Sequence, residues 1–423
     1  MLELDAGLEF NPEQDREFFS LLPPRAAVCL IEGREAGAEP YLIRTADLHR
    51  RLQRLLGPLD PASKRLNLRE FAKAVRYRET GSAFEQALTY YQNAKRIFPK
   101  RYPSLMRLKP AAVLKLSLRN AYPRCYVTRR IAVDEHGIPS GGTYYGPFGS
   151  RRSAEAFAEK MLDFFKVRRC QIKIRRDPTF PGCIYSEMKM CLAPCFAGCT
   201  KEEYDVETGR VLATLASSGE ALTEELERDR EAASEALDFE RAAAVHKRLE
   251  KASAALRGLP EVARRIDELD AAVLQRGAEE KTIIVFPVLA GLLAEPIFLR
   301  FGELSSEPRS VEAILKQGLQ PQGRADGSNL TDEARRPESR ATAGEPRESQ
   351  TPSSAIWRSQ YGLRDAPSER SEHLAILARW FYSKPRDGEI FFRDDDWPYR
   401  RILRACGRLL APASSTPSTD SSA

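Results

Sequence analysis

Five of the eight cysteines lie in one short stretch, from Cys170 to Cys199. Thiolates are soft ligands for zinc and iron–sulfur clusters, and in a reducing cytosol clustered cysteines favour metal binding over disulfides. Zinc ligands usually come in pairs two to four residues apart, and only Cys191 and Cys195 are spaced in that way. Cys170, Cys183, Cys191 and Cys195 are therefore predicted to be the ligands of an iron–sulfur cluster. The alternatives are a zinc ion on the same residues, or cysteines that are unligated or joined in disulfides.

The distribution of charge is the second feature with chemical meaning. The net charge is only +6, yet the segment from Arg101 to Val133 contains no Asp or Glu. Such a segment attracts polyanions, and Tyr102, Tyr122 and Tyr126 within it are predicted to stack on bases or sugars. A solvated face that only maintains solubility is the alternative. The candidate nucleic-acid ligands here and near the cysteines are Arg124, Arg129, Arg130, Lys173, Arg175 and Arg176, and the cysteines are also flanked by Lys166, Arg168 and Arg169.

Length and composition limit the class of protein. The chain has 423 residues, of which 42% are hydrophobic and 30% charged, enough for two or three domains. Its first residues contain neither a basic nor an apolar region, so no signal peptide is predicted. The longest apolar run, residues 283–294, is interrupted by Pro287 and Gly291 and is too short to span a bilayer. These features predict a soluble cytoplasmic protein without membrane contact.

Hydrophobic periodicity predicts an α+β fold. Predicted strands cover residues 26–32, 40–44, 113–118, 125–133, 282–286, 296–301 and 389–392, the first two forming a hairpin. Predicted helices cover residues 45–56, 68–77, 82–98, 153–165, 201–256 with a break near Leu237, 373–382 and 399–410. Residues 141–149 are glycine-rich but lack the Gly-Lys-Ser/Thr ending of a phosphate-binding loop, so we expect a turn there. The Gly-, Pro-, Ser- and Arg-rich residues 317–354 are predicted to be a disordered insertion.

Several motifs are similar to those of one protein family. They are Tyr145-Gly-Pro-Phe, Phe165-Lys-Val-Arg-Arg-Cys, Cys183, and Cys191-Leu-Ala-Pro-Cys, and the segment beginning at Ala233 resembles a UVR motif. Over roughly residues 10–410 the chain resembles UvrC, the nuclease subunit of the bacterial UvrABC nucleotide-excision repair system. This resemblance implies a 4Fe–4S cluster on Cys170, Cys183, Cys191 and Cys195. It also implies two partners, damaged double-stranded DNA and UvrB, with UvrB docking on Phe239, Glu240, Ala242 and Ala243.

The N-terminal region resembles a GIY-YIG nuclease domain with substitutions in its active site. Tyr41 and Arg51 stand at two catalytic positions of that family, and Arg44 stands at a lysine that would contact DNA. Cys29 replaces a catalytic tyrosine, and Tyr90 replaces the glutamate that binds the metal. A tyrosine hydroxyl is a poor ligand for magnesium at neutral pH, and magnesium is required only if this site is active. The resemblance therefore implies a degenerate nuclease site.

One nearby acid is not expected to compensate for the missing glutamate. Glu85 lies five residues before Tyr90 on the same predicted helix, which places it about 140° around the helix axis. It is therefore expected to face a different side. Neighbouring Thr89 and Tyr91 are not acidic either.

The resemblance also implies a division into domains. A degenerate GIY-YIG-like domain (1–105) precedes the basic strands and cysteine region (106–200), a UVR-like helical hairpin (201–258), a connecting domain (259–316 and 355–410) around the insertion, and a tail (411–423). The RNase H-like nuclease domain of UvrC is expected to be missing. The expected function is excision-repair binding of DNA and UvrB, with doubtful nuclease activity. One alternative is an active GIY-YIG endonuclease that cuts beside a lesion, and another is a scaffold or regulator of UvrB that never binds DNA.

Overall fold

The computed structural model describes residues 2–58, 64–134, 138–302, 310–319 and 369–411. These residues form a mixed α/β protein with three antiparallel sheets, which agrees with the predicted α+β class. Most of the predicted insertion, from residue 320 onward, and nearly all of the predicted tail lie outside the described residues. Residues 317–319, predicted as part of the insertion, instead belong to the helix Val311–Leu319, whose Leu315 and Leu319 are buried.

The first sheet includes the predicted hairpin, and two of the predicted helices belong to the same part of the chain. Its strands are β1 (Ala6–Glu9), β2 (Ala27–Gly33), β3 (Tyr41–Thr45) and β4 (Ala72–Glu79), in the order β1-β4-β2-β3. Its helices are α1 (Asp15–Ser20), α2 (Leu48–Leu56), α3 (Ala83–Ile97) and α4 (Tyr102–Met106). Asp47 caps α2 by accepting a hydrogen bond from the Arg50 amide, and Ser82 caps α3 in the same way from Glu85. Helix α3 thus begins within one residue of its predicted start, whereas α2 begins three residues after the predicted start at Thr45, which belongs to β3.

The predicted helix at residues 68–77 is wrong, because this segment contains the central strand β4. Val75 lies opposite Leu8 of β1 and Ile31 of β2, so β4 is hydrogen-bonded on both sides. Its buried Val75 and Tyr77 alternate with Arg76 and Arg78, which is the two-residue period of a strand. The helix-favouring Ala, Lys and Arg residues were outweighed by this pairing, because strand formation depends on tertiary context. Strand β1 was not predicted at all.

The second sheet is formed by β5 (Ala112–Leu116), β6 (Cys125–Thr128), β7 (Thr143–Phe148) and β8 (Arg264–Arg265), in the order β6-β5-β7-β8. The expected glycine-rich turn is confined to residues 141–142, and the rest of that segment is strand β7. Helix α5 (Arg151–Leu162) is followed by α6 (Ile184–Glu187), α7 (Lys201–Ala216), α8 (Glu220–Glu235) and α9 (Phe239–Leu256). The predicted break near Leu237 separates α8 from α9, and a second break, at residues 217–219, separates α7 from α8.

The third sheet contains β9 (Ala271–Arg276), β10 (Thr282–Leu289), β11 (Leu292–Leu293), β12 (Ile297–Arg300) and β13 (Glu389–Phe392), with β10 and β9 central. The helix Val311–Leu319 is α10, and α11 (Glu369–Phe381) and α12 (Tyr399–Leu410) complete this part. None of the helices in the described ranges combines the length and apolar character needed to cross a bilayer.

One hydrophobic core joins the first and third sheets. Phe84 of α3 contacts Phe286 of β10 and Trp380 of α11, with ring centroids 5.0 Å and 5.5 Å apart. Leu374 and Leu377 of α11 belong to the same buried cluster. Helix α3 is therefore covered by the C-terminal part of the chain.

Candidate nucleic-acid interface and cysteine centre

The cysteine segment begins with a buried arginine that fixes its path. The Arg168 amide donates to the Tyr204 hydroxyl at 2.9 Å, and its guanidinium donates to the carbonyl oxygens of Tyr122 at 2.8 Å and Ile172 at 2.9 Å. Tyr204 in turn donates to the Pro123 carbonyl at 2.7 Å. The sequence shows Arg168 only as one of the cations that flank the cysteines, and in the structure it is 6% exposed. It positions the segment and does not face a ligand.

The chain turns tightly on both sides of Cys195. Ala193 and Ala197 adopt left-handed backbone conformations with φ of 55° and 62°, which non-glycine residues rarely do. The Ala193 amide is 3.3 Å from the Cys191 Sγ, and the Asp177 amide donates to the Cys195 carbonyl at 3.0 Å. Amide donors to sulfur stabilise the thiolate form and tune clusters that thiolates hold.

The predicted ligand thiols influence one another's pKa values. Burial raises the pKa of the Cys191 thiol to about 11, and the nearby thiols of Cys170, Cys195 and Cys183 raise that pKa further. Burial also raises the pKa of Cys195, with Cys183 and Cys170 contributing. All eight cysteines are free thiols, so the disulfide alternative has no support here. Metal binding at this position would displace protons from the thiols.

A zinc ion and an iron–sulfur cluster require different separations of the four predicted thiolate ligands. Among the described residues, no three potential ligand side chains converge closely enough to hold one metal ion. Four thiolates on one zinc ion, each at about 2.3 Å, must converge to within about 4 Å of one another. In a 4Fe–4S cluster each thiolate binds a different iron, so the sulfurs stand farther apart. The iron–sulfur cluster and the zinc alternative therefore both stay predictions.

The basic residues lie beside the cysteine segment. Arg124 precedes β6, and Arg129 and Arg130 follow it, the last two being exposed. The Arg176 guanidinium donates to the Tyr122 hydroxyl at 2.9 Å, which brings the cysteine segment next to the β5–β6 connection. Lys173, Arg175 and Arg176 are exposed on this segment. The cations predicted from two distant parts of the sequence are thereby brought to one region.

Two of the three tyrosines predicted to stack on bases are in fact buried. Tyr102 and Tyr122 are each 8% exposed. Tyr102 donates to Glu372, and Tyr122 accepts from Arg176. Only Tyr126 of this set is partly accessible. The sequence shows which segment is basic but not which aromatic rings face the interior.

The nuclease-like residues are divided between accessible and buried positions. The Arg44 Cζ lies 5.9 Å from the centroid of the Tyr90 ring. The pKa of Tyr90 is raised, mainly by burial. The charge of nearby Arg44 acts to lower this pKa, and nearby Tyr41 acts to raise it, so these three residues are neighbours. Cys29 is fully buried in the core beneath α2, and burial raises its pKa far above the usual range. Cys29 is therefore inaccessible to a substrate.

Arg51 and Glu85 occupy different environments. Arg51 is half-exposed on α2, and its guanidinium has no ion-pair partner among the described residues. Glu85 is 1% exposed; it accepts a hydrogen bond from the Gly81 amide at 2.8 Å and lies 3.7 Å from Arg78. Burial raises the pKa of Glu85. It stabilises the start of α3 and faces away from Tyr90, as the helical geometry predicted.

The α8–α9 hairpin exposes large apolar side chains at its tip. Leu237 and Phe239 are 72% and 67% exposed, whereas Val245, farther along α9, is buried. Glu240 and Ala243 are exposed, and Ala242 is half-exposed. Exposed leucine and phenylalanine side chains that adjoin each other are typical of a protein-binding site.

The middle of the chain is similar to one known family. Residues 111–214 match the family described as "UvrC/Cho excinuclease, middle domain". This range contains β5–β7, the basic residues around β6 and all four predicted ligands.

Relatives that match between about half and 71% of the chain point in the same direction. The chain is similar to the UvrABC system protein C of Dehalococcoides mccartyi, with 26% identity over 56% of this chain and 38% of the relative. For the proteins of the same name from Caldanaerobacter subterraneus and Nitratidesulfovibrio vulgaris, identity is 25% and 31%, over 71% and 48% of this chain and 48% and 27% of the relatives. The chain thus spans less than half the length of these relatives. No solved structure matches it.

Proposed function

We propose, on the premise that the chain is a relative of the UvrC family, that the protein binds damaged double-stranded DNA and UvrB in excision repair without cutting the DNA. The observation that carries this proposal is the joining of two basic segments by the Arg176–Tyr122 hydrogen bond. Cations from around β6 and from the cysteine segment form one region, as recognition of a phosphate backbone requires. This region lies inside the range that matches the excinuclease family.

The absence of cutting is inferred from the nuclease-like site. Tyr90, at the position of the metal-binding glutamate, is 9% exposed and lies in the core that α11 helps to cover. Cys29 is fully buried. Phosphodiester hydrolysis needs a carboxylate-bound divalent ion next to the substrate. Neither Cys29 nor Tyr90 is a carboxylate, so these two positions supply no metal ligand to act together with Tyr41 and Arg51.

The cysteine centre is assigned a structural role. Cys170, Cys183, Cys191 and Cys195 would hold a 4Fe–4S cluster, which supplies cross-links between otherwise irregular backbone segments. The residues around it then keep Lys173, Arg175 and Arg176 exposed. The Arg168 contacts with Tyr204 and Tyr122 connect this segment to α7 and to the β5–β6 connection.

The hairpin tip is assigned to UvrB. Phe239 and Leu237 expose apolar surface that a partner helix pair would bury, while Glu240 and Arg241 at the edge add polar contacts. With this assignment, the protein would enter a repair complex by binding to UvrB that is already part of it.

One reconstituted reaction tests the function. The protein is added to a lesion-bearing duplex with UvrA, UvrB, ATP and magnesium, and both complex formation and nicking are measured. We expect the protein to enter the UvrB–DNA complex without nicks, and Phe239→Ala to bind that complex at least about tenfold more weakly. Val206→Ala is the matched control, since Val206 is also 66% exposed but lies on α7. Nicks that disappear in Arg51→Ala would instead establish the active-endonuclease alternative.

Removing one predicted ligand tests the cysteine centre. Protein purified anaerobically is expected to be brown with about four iron atoms per chain. Cys191→Ser is expected to lose colour and iron and to unfold at a lower temperature, because the metal stabilises only the folded segment. Cys199→Ser, in the same segment, is the control and should keep its iron. A colourless wild-type protein that contains zinc would refute the iron assignment.

A further inference from the structure

An arginine and a tyrosine lie against each other at the outer strand of the second sheet. The Arg124 Cζ is 4.3 Å from the centroid of the Tyr126 ring. Arg124 lies opposite Ser117, and Tyr126 lies opposite Lys115, so both side chains lie on the same face of the sheet. Both are partly accessible, and no carboxylate of the described residues pairs with Arg124. Strand β6 is at the edge of its sheet, so a ligand can approach it from the side.

Two more cations surround this pair. Lys115 lies directly across the ladder from Tyr126, and its Nζ is 2.7 Å from the Tyr144 hydroxyl. A Cβ placed on Gly141 would lie 3.5 Å from the Lys115 Nζ and 3.6 Å from the Arg119 Nε. Lys115 and Arg119 therefore approach the same point, beside Gly141. On this face the described residues of β5, β6 and the segment around Gly141 supply cations and an aromatic ring.

We propose that Arg124 and Tyr126 form a stacking platform for one unpaired nucleobase, with Lys115 and Arg119 contacting its phosphates. This inference rests on the proposed DNA-binding function. A planar guanidinium and an aromatic ring both stack on the faces of nucleobases, and this stacking depends little on which base is present. In an intact duplex the base faces are covered by their neighbours. The platform therefore selects DNA in which a base is unpaired, such as a bubble or gap.

The test compares binding to a duplex with binding to the same duplex carrying a short unpaired bubble. The wild-type protein is expected to prefer the bubble by roughly 5- to 150-fold, the range of one stacked base. Tyr126→Leu keeps an apolar side chain but is expected to lose this preference, while its affinity for the intact duplex stays within about twofold, because Arg129 and Arg130 remain. Tyr126→Phe keeps the ring and the preference.

A matched control is available on another surface. Tyr399 is also half-buried, with the Lys316 Nζ 5.6 Å from its ring centroid. Tyr399→Leu is expected to bind both DNAs as the wild type does. Equal wild-type affinity for both DNAs, or a preference that survives in Tyr126→Leu, would overturn the platform and leave the DNA-binding function intact. Failure of the wild-type protein to bind either DNA would overturn both.

Discussion

Replacing Arg124, Arg129 and Arg130 together by glutamate is expected to weaken binding to lesion-bearing duplex DNA by about 100-fold at moderate salt. Each arginine that neutralises a phosphate releases counterions, and each glutamate adds repulsion. The slope of log affinity against log salt concentration should fall in magnitude by about 3, one for each positive charge removed from the DNA-binding surface. Fluorescence anisotropy over a series of KCl concentrations measures both quantities.

A triple variant with the same change of charge separates contact from general electrostatics. Arg230, Lys247 and Arg248 are exposed on α8 and α9, outside the basic segment that contains β6. Their replacement by glutamate is expected to change DNA affinity by less than about fivefold and to leave the salt slope unchanged, because charges beyond the Debye length are screened. If both triple variants lost affinity equally, the surface around β6 would not be the DNA-binding site. Unchanged affinity in the first variant would support the scaffold alternative.

Glu372→Ala is expected to lower the free energy of unfolding by about 3 kcal/mol. The Glu372 carboxylate accepts hydrogen bonds from the hydroxyls of Tyr91 and Tyr102, each at 2.7 Å. Lys95 donates to the Tyr91 hydroxyl at 3.0 Å and pairs with Glu369 at 2.9 Å. Burial and the bond to Glu372 raise the pKa of Tyr91 far above its usual range, so Tyr91 remains a donor. Without the Glu372 carboxylate, the buried hydroxyls of Tyr91 and Tyr102 lose their acceptor, and Lys95 loses part of the negative charge that balances it.

Urea unfolding followed by circular dichroism measures this loss. Glu372→Gln keeps an acceptor of the same shape without the charge. Its free energy of unfolding should therefore lie between those of the wild type and Glu372→Ala. Glu231→Ala is the control, since Glu231 is exposed on α8 and should change stability by less than about 0.5 kcal/mol. A Glu372→Ala protein as stable as the wild type would show that this network contributes nothing net to the contact between α3 and α11.

The elements best predicted from sequence are those whose boundaries are encoded locally. Strand Glu389–Phe392 and helix Tyr399–Leu410 were predicted with the boundaries that the structure shows, and α2 and α3 begin at their capping residues. That the four unevenly spaced thiols together bind a metal stays a prediction; their electrostatic effects on the pKa values of Cys191 and Cys195 are the only link between them among the described residues. Periodicity and capping are properties of the sequence itself, which explains the agreement for these strands and helices.

The features missed from sequence depend on contacts between distant segments. Strand β4 exists because β1 and β2 flank it, and nothing within residues 72–79 excludes a helix. Tyr102 was assigned to a DNA surface but instead binds Glu372, 270 residues away in the chain. Arg168 has the same charge as its exposed neighbours, yet it is buried because Tyr204 and Tyr122 surround it. A count of charges cannot distinguish a cation that positions backbone from one that faces solvent.

The shared core of α3 and α11 has a consequence for synthesis of the protein. Phe84 meets Trp380 in this core, and 296 residues separate them along the chain. A ribosome that adds about 5 to 20 residues per second needs on the order of 15 to 60 s to make that interval. During this time the apolar face of α3, including Leu88 and Tyr91, has no covering helix. The nascent N-terminal sheet is thus a natural client for chaperones that bind exposed apolar segments until residue 380 emerges.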